Sequence, residues 1–419
     1  MIDSAPDALV LLERRSASPA SARKGALPPF IDLVRNFEER GQPSREIREG
    51  PILYLINEFW TSGQRQAHSI HEVSYRACFK PQLPEFFIER LTRPGEAVYD
   101  PFMGRGTTPI QSALMGRRPV GNDVNPLSVL LTRPRLNPPA PHAVARRLDE
   151  IHWDEAGDED PELLAFYSPR TLRHICALRR WLLERAPAGG APDPVDDWIR
   201  MVAINRLTGH SPGFFSVYTL PPNQAASAAS QRKINEKRGQ IPPDRDIKKL
   251  ILKKTASLLR DGAMTPHPRP LLTSATAHST PAIGPGSVQL VVTSPPFLDI
   301  VQYADDNWLR SWFAGIDANR VAISHHRTEA GWQVMVRGAL AELARIVQPG
   351  GHVAFEVGEI RRGKVLLERL VWEAAAGLPF DRLFVMVNQQ QFTKTANCWG
   401  VGNNLKGTNT NRIVVLRRH

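Results

Sequence analysis

One short segment constrains the fold more than any other: an apolar run that ends in an acid, followed by a Gly-x-Gly turn and two threonines. It reads Val98-Tyr99-Asp100-Pro101-Phe102-Met103-Gly104-Arg105-Gly106-Thr107-Thr108. Glycines let the backbone approach a ligand closely, and free N–H groups at a helix start attract a carboxylate or a phosphate. The segment therefore predicts the strand–loop–helix element of a nucleotide-type site. It is not a phosphate-cradling P-loop, because no Gly-Lys-Ser/Thr follows.

A second acid supports this prediction. Asp123 ends the run Arg118-Pro119-Val120-Gly121-Asn122-Asp123 and lies 23 positions beyond Asp100. At this spacing an acid at the end of the second strand meets ribose hydroxyls. The two segments together predict a parallel α/β unit with Asp123 in a nucleoside site.

Another motif follows much later in the chain. The apolar run Val288-Gln289-Leu290-Val291-Val292 leads directly into Thr293-Ser294-Pro295-Pro296-Phe297. Two prolines fix φ and remove two backbone donors, so nearby carbonyls stay free to accept hydrogen bonds. With a hydroxyl and a flat aromatic ring, the motif suits an exocyclic amino group on a flipped base. Taken alone, the segment is read more simply as a strand followed by a Pro-Pro turn.

The two motifs at 100–108 and 293–297 resemble the cofactor and catalytic motifs of S-adenosylmethionine-dependent DNA amino-methyltransferases. The Ser-Pro-Pro-aromatic form is similar to the cytosine-N4 branch, because the adenine-N6 branch more often has Asp or Asn in the first place. Segments 79–87, 343–351 and 407–416 also resemble family elements. The resemblance covers about residues 66–130 and 286–419, and it implies a three-layer Rossmann-like α/β fold with a mostly helical insertion.

The resemblance also implies the site residues. Ser294 Oγ and the Pro295 carbonyl would accept the two amino hydrogens of the target base, next to Pro296, and Phe297 would stack on that base. The residues implied for binding S-adenosylmethionine are Phe79, Lys80, Pro81, Asp100, Pro101, Phe102, Gly104, Gly106, Thr107, Thr108, Asp123 and Ser274.

Three departures from the family pattern stand out. The stretch 272–276 contains the hydroxyl of Ser274 where an acid near the cofactor adenine is common. Arg105 replaces a small residue in the glycine loop, and the catalytic aromatic is Phe297 rather than Tyr. None of these removes the chemistry, although the first leaves the adenine contacts open.

The implied function is methylation of the N4 amine of a flipped cytosine in double-stranded DNA. The alternatives are adenine-N6 methylation, methylation of an RNA base amine, and a catalytically silent, methyltransferase-like DNA-binding subunit. Cytosine-C5 methylation is disfavoured, because its cysteine nucleophile typically follows a proline and none of Cys78, Cys176 and Cys398 does. The same cysteines have no metal-binding spacing, so no metal is expected. A modification role would bring a separate restriction nuclease as a partner.

The positive charge is concentrated in one run. The chain has a net charge of +11, and residues 232–260 contain ten basic residues and three acids. A solvated helix face is the usual reading of such a run. Its position between the two motifs favours nucleic acid instead. The predicted DNA contacts are Arg232, Lys233, Lys237, Arg238, Lys248, Lys249, Lys253 and Lys254.

The chain is predicted to divide into an N-terminal extension at 1–65, a catalytic domain at 66–130 and 286–419, and a helical insertion at 131–285 that recognises the DNA target. The extension is expected to be mobile over 1–27. Helical patterns follow at Phe30, Leu33, Val34 and Phe37 and again at Ile52, Leu55, Ile56 and Phe59. No run approaches the ~18–20 apolar residues of a membrane span, and the start lacks a secretory signal, so a cytoplasmic protein with no membrane partner is expected.

Overall fold

The computed structural model describes residues 29–39, 41–60, 67–75, 78–155, 159–186, 192–219, 225–262, 264, 269–296, 298, 303–321, 326–360, 365–389 and 410–419. The strands are β1 (Arg45–Glu49), β2 (Ile52–Asn57), β3 (Ala97–Asp100), β4 (Arg118–Asn122), β5 (Leu271–Thr273), β6 (Val288–Thr293), β7 (Val347–Val357), β8 (Glu359–Ile360), β9 (Val365–Leu366), β10 (Phe380–Gln389) and β11 (Thr410–Arg418). The helices are α1 (Phe30–Arg35), α2 (Gln82–Leu91), α3 (Thr107–Leu114), α4 (Pro126–Leu136), α5 (Pro141–Asp149), α6 (Pro169–Glu184), α7 (Pro194–Arg206), α8 (Ala228–Arg238), α9 (Ile247–Leu258), α10 (Tyr303–Ala314), α11 (Glu329–Ile346) and α12 (Leu367–Ala374).

Nine strands form one mixed sheet in the order β1-β2-β10-β11-β7-β6-β3-β4-β5. The five strands from β7 to β5 are parallel, and β11 runs antiparallel to both β7 and β10. Because β5, β4, β3, β6 and β7 all point the same way, the loops that follow them meet at one edge of the sheet. Ligands of open α/β sheets bind at this edge.

Helices cover both faces of the sheet. Along β11, alternate side chains belong to apolar clusters on opposite faces. Ile413 and Val415 share an apolar cluster with α1 and α2, whereas Val414 and Leu416 share another with α11 and α12. A strand buried on both faces is a near-continuous apolar run, and this is how β11 reads. The predicted three-layer α/β fold is therefore confirmed.

The N-terminal segment differs in part from its prediction. Phe30–Arg35 is helical as expected, but Ile52–Asn57 is a strand that pairs with β1 on one side and with β10 on the other. The helix prediction for this second stretch was wrong because Ile-Leu-Tyr-Leu-Ile is also a continuous apolar run, which fits a buried strand as well as a helix. Without β2, one edge of β10 would be unpaired. Pairing satisfies the backbone groups of both strands, and this favours a strand over a helix.

Between β4 and β5 lie helices α4 to α9, which form a third apolar cluster with α10. Trp308 and Trp312, four positions apart on α10, pack against this cluster. The predicted boundary at residue 285 differs from the structure, because β5 lies before it and pairs in parallel with β4. Whether the helices form a target-recognition domain stays a prediction. Within the described residues no helix is long and apolar enough to cross a membrane.

Candidate active site

A cavity at the carboxyl ends of β3, β4 and β6, called here the central cavity, gathers residues from both sequence motifs. Eight of the predicted site residues line it, and two of them, Asp123 and Ser294, are 171 positions apart in the chain. The lining residues are Tyr75, Cys78, Phe79, Pro101, Phe102, Met103, Gly104, Thr107, Asp123, Val124, Asn125, Thr276, Ala277, His278, Ser294, Pro296 and Met335.

Asp123 fixes the glycine loop by a hydrogen bond to its backbone. Its two carboxylate oxygens accept hydrogen bonds from the backbone N–H of Gly104 at 2.8 Å and of Asn125 at 2.9 Å. Burial raises the pKa of the Asp123 carboxyl, and these two backbone hydrogen bonds oppose that shift. Each carboxylate oxygen has a second lone pair. The side chain can therefore hold the loop and still accept from a hydroxyl in the cavity.

Asp100 lies beneath the loop rather than in the cavity. It is buried, and its Oδ1 accepts hydrogen bonds from the Thr293 hydroxyl at 2.6 Å and from the Phe102 N–H at 3.0 Å. The first of these joins the two motifs directly, because Thr293 immediately precedes Ser294. Burial raises the pKa of Asp100 to about 7. Its role is to fix the ends of β3 and β6 relative to one another.

Gly106 and Thr108 start α3 under the loop. Gly106 has a left-handed backbone with φ +78°, and a Cβ there would overlap the side chain of Thr132 on α4. Thr108 is buried and donates a hydrogen bond to the Val292 carbonyl at 2.9 Å. Both residues shape the site from beneath rather than lining it.

Asn122 is a loop-positioning residue that the sequence argument passed over. Its amide donates to the carbonyls of Pro101 at 3.3 Å and of Ala275 at 2.8 Å, and its Oδ1 accepts from the Thr273 hydroxyl at 2.7 Å. The side chain is fully buried. It ties the loop after β3 to the loop after β5, so the two walls of the central cavity keep a fixed separation.

Ser294 has an acidic partner that was also missed. Thr293 pairs with Phe355 across β6 and β7, and the next residues, Ser294 and Glu356, share a hydrogen bond between hydroxyl and carboxylate. Asn411 at the start of β11 donates a second hydrogen bond to Glu356 Oε1 at 3.1 Å. Burial raises the pKa of Glu356, and the hydrogen bonds from Ser294 and Asn411 oppose this.

The sequence does contain a signal for Glu356. It is a single acid within the apolar strand end Val353-Ala354-Phe355-Glu356-Val357. A carboxylate is almost never fully buried unless it has a partner. An acid in the middle of a predicted central strand therefore indicates a functional or paired group.

Trp332 on α11 holds the Pro-Pro turn. Its indole Nε1 donates a 2.8 Å hydrogen bond to the carbonyl of Pro296, and the ring is buried. Pro295 is buried as well. The turn that follows Ser294 is thus fixed by a hydrogen bond from the neighbouring helix layer as well as by the φ angles of its prolines.

The remaining predicted site residues lie elsewhere. Lys80 and Pro81 line a second, neighbouring cavity rather than the central one. Ser274 is exposed and its hydroxyl donates to the Val124 carbonyl at 3.4 Å, while the wall of the central cavity at this point is formed by 276–278. Phe297 lies outside the described residues.

The basic residues of the run at 232–260 lie on α8, in the link between α8 and α9, on α9 and just after it. Arg232 pairs with Glu162 at 2.6 Å, and Lys248 pairs with Asp149. Lys254 is buried and faces the second cavity. The other predicted DNA contacts, Lys233, Lys237, Arg238, Lys249 and Lys253, are exposed.

The lining of the central cavity fits the sulfonium nucleoside cofactor predicted from the sequence. It combines the carboxylate of Asp123 with the aromatic rings of Phe79 and Phe102 and the thioethers of Met103 and Met335. Carboxylate oxygens suit ribose hydroxyls, and aromatic faces attract a cationic centre. Among the described residues no group of acids, histidines and cysteines could hold a metal ion.

Comparison with known proteins agrees with this arrangement. Residues 28–131 match the family model described as DNA methylase. The type II methyltransferase M.MjaII of Methanocaldococcus jannaschii is 39% identical over 72 residues, which is 17% of this chain and 13% of that protein. M.MvaI of Kocuria varians, also a type II methyltransferase, is 31% identical over 96 residues, 22% of this chain and 21% of that protein. The chain thus spans only a small part of each curated relative it matches.

A solved SAM-dependent methyltransferase from Methanosarcina mazei is 8% identical and covers 79% of this chain and 96% of its own. The two structures align with a TM-score of 0.32. The matches agree with S-adenosylmethionine as the cofactor, and they do not separate the cytosine-N4 branch from the adenine-N6 branch.

Proposed function

We propose that this chain, whose residues 28–131 match the DNA methylase family model, transfers a methyl group from S-adenosylmethionine to the N4 amine of a flipped cytosine in double-stranded DNA. The observation that carries the proposal is the hydrogen bond between Ser294 and Glu356 at the wall of the cavity that Asp123 also lines. Amine methylation needs a proton acceptor next to a nucleoside-type site, and this hydrogen bond supports such an arrangement.

Ser294 gives the site its selectivity for an amine. Because its hydroxyl donates to Glu356, the oxygen lone pairs remain available to accept an N–H from the target base. The exocyclic amine of cytosine is a poor nucleophile, since its lone pair is conjugated with the ring. An acceptor on the amine hydrogens favours the pyramidal nitrogen, whose lone pair points away from the ring.

Glu356 completes the proton path. When the amine nitrogen forms its new bond to carbon it becomes positively charged, and it must lose one proton. Ser294 can take that proton and pass its own to the carboxylate, so that Glu356 ends protonated and the product amine neutral. The raised pKa of Glu356 brings its proton affinity closer to neutral pH, which strengthens a general base.

The cofactor supplies a methyl group on a positively charged sulfur. Asp123 would accept hydrogen bonds from ribose hydroxyls, and Phe79 and Phe102 would cover the nucleoside. Apolar groups of the wall, such as Met103 and Met335, would help to exclude water from the reacting groups. Much of the acceleration comes from holding the two reactants in line.

Cytosine is chosen over adenine on the identity of residue 294. A hydroxyl replaces the Asp or Asn that the sequence argument associates with adenine-N6 enzymes. Both bases present an amine next to a ring nitrogen, so the same acceptors serve either. The duplex DNA substrate, a partner restriction nuclease and a target-recognition role for 131–285 belong to this proposal as well.

Mass spectrometry of nucleosides from DNA of cells that express the protein tests the proposal, with a Ser294→Ala variant as the control. We expect N4-methylcytosine in the first sample and its loss in the second. N6-methyladenine as the sole product would refute the cytosine assignment and keep the enzyme class. Methylated nucleosides in RNA alone, or cofactor binding without any methylated product, would refute the proposal as a whole.

A further inference from the structure

A second cavity, called here the basic cavity, lies between the segment 67–82 and the helical insertion and has a volume of about 840 Å³. Its cations come from four separate parts of the chain: the segment before α2, the glycine loop, the end of α7, and α9 with the turn after it. These residues are Lys80, Arg105, Arg206, Lys254 and Arg260. The catalytic sheet and the insertion therefore each contribute positive charge to one space.

Acidic groups do not balance this charge. Glu72 is the single acid in the lining of the basic cavity, and it pairs with Lys254 at 3.7 Å and with Arg260 at 3.0 Å. In the part of the chain that the structure describes, no acid lies in ion-pair range of Lys80, Arg105 or Arg206. Arg105 is held by backbone carbonyls instead, at 3.0 Å from Val73 and 3.5 Å from Phe79.

Burial of a cation without a counter-charge is unfavourable, and it lowers the pKa values of the cations in the basic cavity. Burial and then the charge of Arg206 lower the pKa of Lys254 to about 8, and burial and then Arg310 lower the pKa of Arg206 to about 10. The pKa of Lys80 is also lowered, by burial and by Arg105. Uncompensated buried charge costs free energy. A fold retains such a cluster where an anion from outside can neutralise it.

The position of the basic cavity indicates what that anion is. Tyr75 and Cys78 line both cavities, so the cations stand directly beside the space that Ser294 and Asp123 border. Arg260 and Glu72 are exposed at the rim, so the basic cavity opens to the surface. A strand whose base enters the central cavity would have its sugar–phosphate chain in the adjoining space.

We propose that the basic cavity binds the phosphodiester backbone of the DNA strand that carries the target base. This inference rests on the proposed function, because it takes the anion to be part of the substrate. Phosphate contacts position a nucleic acid without reading its sequence. The basic cavity would fix the backbone beside the flipped nucleotide, and Glu72 would limit the affinity by holding Lys254 and Arg260.

The test is the salt dependence of binding to a short DNA duplex, measured by fluorescence anisotropy without turnover. Lys80→Gln removes one phosphate contact, so the slope of log affinity against log salt should flatten by about 0.9. Arg48→Gln, on the exposed edge strand β1, is the matched control and should leave the slope unchanged.

Glu72→Gln provides a prediction of opposite sign. Removing this carboxylate frees Lys254 and Arg260 for phosphate, so duplex binding should tighten several-fold and its salt slope should steepen. Simple damage to the fold would weaken binding instead. Melting curves of both variants, recorded in parallel, show whether each is folded.

Three results would overturn the inference. The first is an unchanged salt slope in Lys80→Gln together with unchanged affinity in Glu72→Gln. The second is a loss of S-adenosylmethionine affinity in Lys80→Gln with the slope intact, which would assign the cations to the cofactor carboxylate. The third is a response seen with single-stranded RNA and not with the duplex. Because binding is measured without turnover, a flattened slope supports the phosphate site even where no methylated nucleoside is found, and only the proposed function then fails.

Discussion

The indole Nε1 of Trp332 lies 2.8 Å from the carbonyl oxygen of Pro296 and donates a hydrogen bond to it. This contact joins α11 to the turn that follows Ser294. The Pro296 carbonyl is thereby engaged by α11, and the acceptors proposed for the target amine are the Ser294 hydroxyl and the Pro295 carbonyl. The position of the turn thus depends on helix α11 as well as on the strand β6 that precedes the turn.

Trp332→Phe should separate positioning from cofactor binding. The variant keeps an aromatic ring and loses the donor, so the turn loses one fixed point and turnover should fall about five- to tenfold, equivalent to the ~1 kcal/mol of one hydrogen bond. Cofactor affinity should be unchanged in calorimetry, because the backbone hydrogen bonds that Asp123 accepts come from Gly104 and Asn125 and do not involve Trp332. Turnover equal to the wild type would show that the prolines alone hold the turn.

Glu356→Gln should lower turnover and change its pH profile. The wild-type rate should rise with pH as the carboxyl loses its proton, with a midpoint above the 4.5 of an ordinary glutamate, because burial raises its pKa. The variant cannot accept a proton, and its residual rate should be independent of pH in that range. Cofactor affinity serves as the control measurement. A variant with the wild-type rate and profile would remove Glu356 from the proton path.

Asp123→Ala should weaken S-adenosylmethionine by about ten- to a hundredfold, because a charge-assisted hydrogen bond worth roughly 1.5–3 kcal/mol is lost. The N–H groups of Gly104 in the glycine loop and of Asn125 after β4 also lose their acceptor. Asp123→Asn, which keeps one acceptor, should lose less. Calorimetry on both variants measures this, and equal affinity in the wild type and Asp123→Ala would exclude a ribose contact.

Gly106→Ala should destabilise the fold more than Gly116→Ala. Both glycines have left-handed backbones, with φ of +78° and +73°, so both variants pay the same conformational cost of about 1 kcal/mol. Only at Gly106 would the new methyl group overlap Thr132, which adds about 1–3 kcal/mol. Urea unfolding of the two variants gives the difference directly. Equal losses would mean that α4 moves away freely.

Asp100→Asn should change how stability depends on pH. The folded pKa of Asp100 is about 7 and its unfolded value is 3.8, so the folded state binds the extra proton between these pH values. Stability from this group is therefore greatest at low pH and is lost as the pH rises from about 4 to 7, by a few kcal/mol. The variant lacks this loss. Melting temperatures of the wild type and the variant are compared at pH 5 and at pH 8. A difference between the two proteins that is the same at both pH values would contradict the assignment.

The sequence predicted the fold class and most of the floor of the central cavity, because local signals specify these features. The Gly-x-Gly turn, the acid after β4 and the Pro-Pro turn after β6 each have a backbone reason to be where they are. The meeting of Asp123 and Ser294 in one cavity follows from the parallel arrangement of β4 and β6.

What the sequence could not supply is which side chains meet across strands. Glu356 pairs with Ser294 only because β7 lies beside β6 with Thr293 opposite Phe355, a register that no local pattern encodes. For the same reason Ile52–Asn57 was predicted as a helix, since its partner β10 is far along the chain. Lys254 was grouped with exposed lysines because its burial depends on how α9 packs.

The pairing of β2 with β10 has a consequence for biosynthesis. Tyr54 and Val385 are partners in the sheet, yet at about 5–20 residues per second a ribosome makes the second strand on the order of 15 to 70 seconds after the first. Throughout that interval the apolar β2 segment can pair only with β1, and its other edge is available to chaperones. The sheet can be completed only after β10 has emerged from the ribosome, so premature termination anywhere before β10 leaves a nascent chain in which one edge of the β1–β2 hairpin is unpaired.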